Sequence, residues 1–259
     1  MKFLPLVLIL FSFTLHAERI QTRIHSIDHE LVLFENGRVG FTTPGEKSLP
    51  LTNDWLDVEL DHKNNILGAS AIPAPKLLTE LNDPDPQPES DSYTPGDVGT
   101  IEQATSIFRK MARAQSRSQC YNRAHIWTYE EWKRSGLRSM KLFMFFTRSY
   151  IRAYRYKWWF HVTPMTYVNG TPMTLDRTFM RSPVSIKSWT DNFIYSKRNC
   201  PVIYKYTDYS QHQEEEHCYL HPASMYYWQP RDLENREKYG TLKTQFIKSE
   251  VNWAYYEAF

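Results

Sequence analysis

Between Ile20 and Ile72 apolar and polar residues alternate in short runs, "HSIDHELVLFENGRVGFTT" and "LDVELDHKNNILGASAI", with the two-residue period of half-buried strands. Asn36-Gly37 separates "LVLF" from "VGF" and is a strong hairpin signal, because both residues tolerate positive φ. Asn64-Asn65 marks a second turn, and together these features predict a small β-rich module, read as a half-open barrel. From Ile101 the period becomes helical: Ile101, Ala104, Ile107, Phe108 and Met111 share one face, and Thr100 with Gln103 forms a capping box ahead of them. A second helix is predicted from Cys120 to about Trp132, stopped by Ser135-Gly136. Strands follow at "MKLFMFFT" (140–147), "YRYKWWFHVTPMTYV" (154–168) and "TPMTL" (171–175), the last two flanking Asn169-Gly170. "SIKSWTDNFIY" reads as a short helix, and beyond it aromatic-rich segments follow no clean period.

The stretch "NDPDPQPESDSYTPGD" is rich in proline and acid and lacks bulky aliphatics, so it cannot bury enough surface to offset chain entropy. It is read as a linker over 81–99, dividing a β-rich module at 18–80 from a second domain at 100–259. Ahead of both, Met1-Lys2, the apolar run Phe3 to Leu15 and Ala17 have the form of a secretory signal. That run is too short for a membrane span of about 20 residues. A cleaved 1–17 and a secreted or periplasmic product without a membrane anchor are therefore expected.

Charge divides along the same line. Lys and Arg number 6 against 16 Asp and Glu from Glu18 to Phe108, and 24 against 13 from Arg109 to Phe259. A basic half can serve nucleic acid or an anionic membrane. Here the chain carries its own countercharge, and no nucleic-acid motif accompanies the basic residues, so the nearer partner of the basic half is the acidic half. Three cysteines are present. Cys200 and Cys218 are either bridged, closing a loop worth about 3 kcal/mol, or both simply buried. Cys120 is then left over, a free thiol in an exported protein.

The hairpin at Asn169-Gly170 has consequences for chemistry. A two-residue turn pairs Val168 with Thr171, so His161 faces Thr178 and lies diagonal to Asp176 on the same face. An aspartate there can hold one imidazole nitrogen and leave the other free. Cys120 is predicted at a helix N-terminus, where the macrodipole favours thiolate, and Arg117 and Arg123 add positive charge. Thiolate, imidazole and carboxylate together form the nucleophile, base and orienter of cysteine acyl-transfer sites. Backbone N–H groups around Cys120, and the Gln119 side chain, are candidate oxyanion donors. His125 follows Cys120 by five helical positions, about 500° of rotation, and is read as a structural histidine. Strand parity puts Trp159 on the face of His161, as a wall of the substrate groove.

"CYNRAH" (120–125), "WWFHVTP" (158–164) and "LDRTFMRSPVSIKSW" (175–189) resemble the catalytic blocks of the bacterial protein-glutaminase family, secreted enzymes that deamidate glutamine side chains in proteins. The resemblance covers roughly residues 100–195 and implies Cys120, His161 and Asp176 as the triad. It implies an α+β fold with a papain- or transglutaminase-like core, a Cys-bearing helix packed on an antiparallel sheet, here preceded by the small β-rich domain. The chain departs from the family in Thr163 for a common Ala and in Arg177-Thr178 for a usual Pro-Ser. Members carry an N-terminal pro-region over the cleft, a part the acidic module would play. The implied mechanism passes through a thioester, needs no cofactor or metal, and takes protein substrates with exposed glutamines. Transglutaminase-like or cysteine-peptidase activity on the same triad, and a non-catalytic secreted binding module, remain alternatives. "HQEEEHCYLH" (212–221) offers two histidines four apart, but without further ligands it reads as a solvated face rather than a zinc site.

Overall fold

Short strands form where the alternating runs and turn residues place them. The computed structural model describes residues 17–43, 49, 54–74, 93–115 and 118–259, so residues 1–16 of the expected signal and 81–92 of the expected linker lie outside the described residues. The chain divides into two compact units, one of residues 1–35 and 39–74 and the other of residues 36–38 and 75–259. Among the described residues no helix is long and apolar enough to cross a membrane.

The first unit contains β1 (Glu18–Thr22), β2 (Ile24–Asp28), β3 (Leu31–Phe34), β4 (Val39–Phe41), β5 (Trp55–Leu60) and β6 (Ile66–Ile72). They make two three-stranded antiparallel sheets, ordered β1-β5-β6 and β2-β3-β4. On β5 the alternate residues Leu56, Val58 and Leu60 are buried, as a period of two requires, and they join Ile20, Val32, Phe34 and Ile66 in one core.

The second unit is α+β. Its described strands β7 (Met140–Phe146), β8 (Phe160–Val168), β9 (Thr171–Thr174), β10 (Val184–Ser185) and β11 (Cys218–Ser224) form an antiparallel sheet ordered β10-β9-β8-β7-β11. Around it lie α1 (Ile101–Lys110), α2 (Cys120–Ser135), α3 (Arg148–Tyr154), α4 (Ile186–Thr190), α5 (Pro230–Tyr239) and α6 (Lys248–Ala258). The capping box of α1 is present: Gln103 N donates to Thr100 Oγ1 at 3.2 Å, and Gln103 Oε1 accepts from Thr100 N at 3.2 Å. Helix α2 ends at Gly136 with φ +73, the left-handed residue that releases a helix cheaply only when it is glycine. It packs on β8 and on α6 and is buried continuously from Tyr121 to Tyr129.

Two expectations need revision. The strand expected from residue 154 begins only at Phe160, and the residues before it end α3 instead. Thr147 Oγ1 caps α3 by accepting from Tyr150 N at 3.3 Å, and Arg155 closes it at φ +49. Local capping thus overrides the strand preference of the aromatic run there. The open choice at Cys200 and Cys218 resolves to a disulfide, with Cα atoms 5.0 Å apart.

Candidate active site

The hairpin register is the one the turn predicts: Val168 pairs with Thr171, Tyr167 with Pro172, Thr166 with Met173 and Met165 with Thr174. Leu175 N donates to Pro164 O at 2.8 Å and carries the register one step past β9. Asp176 consequently falls diagonal to His161, and His161 Nε2 lies 2.7 Å from Asp176 Oδ2. Both side chains are buried, at 2% and 1% exposure.

The carboxylate is held firmly. Trp189 Nε1 donates to its Oδ2 at 3.0 Å, and Thr178 N and Phe179 N donate to its Oδ1 at 3.2 and 3.4 Å. Arg177-Thr178 therefore makes the same kind of Asx turn that a Pro-Ser would favour. Trp189 was invisible at the sequence level, because nothing in its spacing links it to Asp176.

With Nε2 engaged by Asp176, the other imidazole nitrogen is left for Cys120, whose side chain is hydrogen-bonded to His161 and receives the Val162 backbone N–H. Cys120 opens α2, behind Gln119 in extended conformation at the N-cap, and is half-buried. Burial pushes the thiol up. The hydrogen bond and charge of His161, the Arg123 guanidinium and the Val162 N–H outweigh it, so the net pKa falls below the ordinary thiol value. For His161, burial disfavours the cation, but the charge and hydrogen bond of Asp176, followed by those of Cys120, raise its pKa to about 9. Asp176 is lowered despite burial, by His161, Trp189 and Arg123. The shifts run in the direction that favours thiolate on Cys120 and imidazolium on His161.

Four rings surround His161. Trp158 and Trp189 stack on it at 5.9 and 5.6 Å between centroids, Phe179 meets it edge-on at 5.2 Å, and Phe193 lies at 4.6 Å. The groove-wall residue read from strand parity, Trp159, is 1% exposed and packs against Tyr209, Phe160 and Phe145. Its half-buried neighbour Trp158 takes the place beside the imidazole. Parity misassigns them because β8 starts at Phe160, so alternation does not extend back to either residue. Gln119 sits beside Cys120, half-buried, and its side chain makes no capping hydrogen bond.

His125 points away from the thiol, as its helical phase requires. It is fully buried, with Nδ1 2.7 Å from Lys141 Nζ, which also donates to Tyr227 O at 2.7 Å. His217 and His221 do not share a helix face: His221 is on β11 with Nδ1 3.1 Å from Ile203 O, and His217 stacks near Tyr150.

The architecture defines an α+β protein in which the helix that opens with Cys120 packs on an antiparallel sheet. Residues 101–193, which include Cys120, His161 and Asp176, match a family model described as Glutaminase (Gln_deamidase_2). Two solved structures are similar over most of their length. A pro-protein-glutaminase crystal structure shares 12% identity, with 82% of this chain and 84% of that one covered and a TM-score of 0.46. The A47Q2 mutant of pro-protein-glutaminase also shares 12%, with 83% and 85% covered and a TM-score of 0.48. No curated protein matches the sequence.

Proposed function

We propose that the protein is a secreted protein glutaminase that converts glutamine side chains of protein substrates to glutamate with release of ammonia. The observation that carries this reading is the connected line from the Cys120 thiol through His161 to Asp176, inside the glutaminase-matching segment. Cys120 attacks the glutamine Cδ as thiolate. The tetrahedral oxyanion is met by backbone N–H at the start of α2 and by the Gln119 side chain. His161 passes its proton to the departing ammonia, then takes one from the water that hydrolyses the thioester. Asp176 keeps the imidazole oriented throughout, and Trp158 with Phe179 lines the approach.

Masking by the N-terminal module is part of the same proposal. Residues 36–38 belong to the unit that holds the site: Gly37 O accepts from Trp159 N at 3.0 Å, and Arg38 forms an antiparallel bridge with Trp158. The acidic charge of residues 18–108 against the basic charge of residues 109–259 supports a mask that is lifted when the linker is cut.

Ammonia release from a glutamine-rich protein, with mass spectrometry for the one-dalton gain at glutamine, tests the reading. Cys120→Ser is expected to abolish release while circular dichroism stays unchanged. A crosslinked or cleaved product instead of free ammonia would replace it with the transglutaminase or peptidase alternative.

A further inference from the structure

Arg123 is a buried cation, 6% exposed, one helical turn after Cys120 on α2 and on the same face of the helix. Its guanidinium donates to Ser118 O, and to Ser118 Oγ at 3.1 Å, so it ties down the residues just ahead of the nucleophile. Both hydrogen bonds leave one nitrogen, Nη1, which lies a bond further from the backbone than the ammonium of a lysine would reach. The charges acting on Arg123 are those of Cys120 and Asp176.

A charge count gives this placement meaning. The poised site buries two anions, the Cys120 thiolate and the Asp176 carboxylate, against one imidazolium on His161. A net negative charge out of water is costly, and the site would relax by returning a proton to sulfur. The groups acting on the thiol are His161 and the Val162 N–H from β8 and Arg123 from α2 itself, while Asp176, from the loop after β9, acts on His161 and Arg123. Arg123 makes the set neutral.

We infer that Arg123 is a positioning residue of the active site, the fourth charge that keeps Cys120 ionised and the anchor that fixes the Ser118–Gln119 entry to α2. This rests on the cysteine-hydrolase reading given above. It separates the residue's two roles: charge, which a lysine retains, and the Nη1 anchor on Ser118, which the shorter reach of a lysine loses.

The experiment is a pH titration of thiolate absorbance in the full-length protein, with Cys120→Ser as blank. Cys200 and Cys218 are bridged, so Cys120 is the thiol that is read. Arg123→Gln is expected to move the midpoint up by about one pH unit, which means about tenfold less thiolate below the midpoint. Arg123→Lys is expected to keep the wild-type midpoint while lowering kcat about tenfold through the loosened entry. A residue serving stability alone would lower the melting temperature in both variants without moving either midpoint. If Arg123→Gln does not fold, the comparison of Arg123→Lys with wild type decides: a lysine midpoint displaced by a unit, or an undiminished kcat, overturns the inference. A wild-type midpoint at the ordinary thiol value sinks the triad reading beneath it, whereas a depressed wild-type midpoint unmoved in Arg123→Gln sinks only the role given to Arg123.

Discussion

His161 takes its character from its neighbours, and its titration sets the working range of the site. Its pKa is raised from 6.5 to about 9, so the stability it adds by staying charged is fully present below about pH 6.5 and is lost as pH rises through about 9. Cys120 is shifted the opposite way, so its contribution is present above the ordinary thiol value and is lost as pH falls through its own lowered one. Turnover should therefore hold a plateau between the Cys120 midpoint and about pH 9, then fall as the imidazolium needed by the leaving ammonia disappears, a limb that kcat/KM against pH will show. The two adjacent tryptophans divide structure from function. Trp158→Ala should lower kcat/KM with little loss of melting temperature, while Trp159→Ala, which empties a buried site, should cost about 3–5 kcal/mol in urea unfolding. Likewise His161→Ala should stop ammonia release. His125→Ala should instead cost about 1–3 kcal/mol by depriving the buried Lys141 of an acceptor, with the active-site thiol still reactive.

Helix α2 joins the two kinds of role, because its first turn presents Cys120, the proposed nucleophile, and the rest is packing. Asn122 Oδ1 accepts from Trp228 Nε1 at 2.9 Å and its Nδ2 donates to Glu257 on α6, so the nucleophile's turn is braced against the C-terminal helix. On the other side β8 and β9 present His161 and lead into Asp176. The sheet's far edge is closed by β11, which the Cys200–Cys218 bridge ties to the loop before it. Replacing both cysteines with serine should cost about 3 kcal/mol, since the loop spans 18 residues, and should leave the thiol chemistry of Cys120 in place.

Across the whole chain, charge is uneven, with an acidic N-terminal half and a basic remainder. An attraction between them, as the proposed mask requires, would weaken with salt. If the proposed mask operates, cutting the linker within 81–99 should raise turnover several-fold, and unchanged turnover would remove the mask from the account. Glu257 adds a stability switch: burial raises its pKa to about 7, opposed by the Asn122 hydrogen bond. Because the folded form holds that proton more tightly, stability falls as pH rises from 4.5 toward 7. Glu257→Gln should flatten that slope and add about 1–2 kcal/mol above pH 7, as read by urea unfolding at two pH values.

Much of this was determined by sequence alone, because the signals are local. The Asn169-Gly170 turn fixed the register that brings Asp176 diagonal to His161, Thr100 and Gln103 formed their capping box, and Gly136 ended α2 where its freedom at positive φ was needed. The three blocks resembling protein glutaminases likewise pointed to Cys120, His161 and Asp176, which the structure brings together. Tertiary structure decided what no spacing encodes. Trp189 reaches Asp176 across 13 residues, and Cys200 meets Cys218 where the 201–203 segment bonds to Leu220 on β11. Trp158 rather than Trp159 flanks the imidazole because α3 intervenes before β8, and Lys141 is buried on a strand where a period of two alone allows either face. Turn chemistry and periodicity act between near neighbours, whereas burial and ion pairing depend on which distant segments pack together.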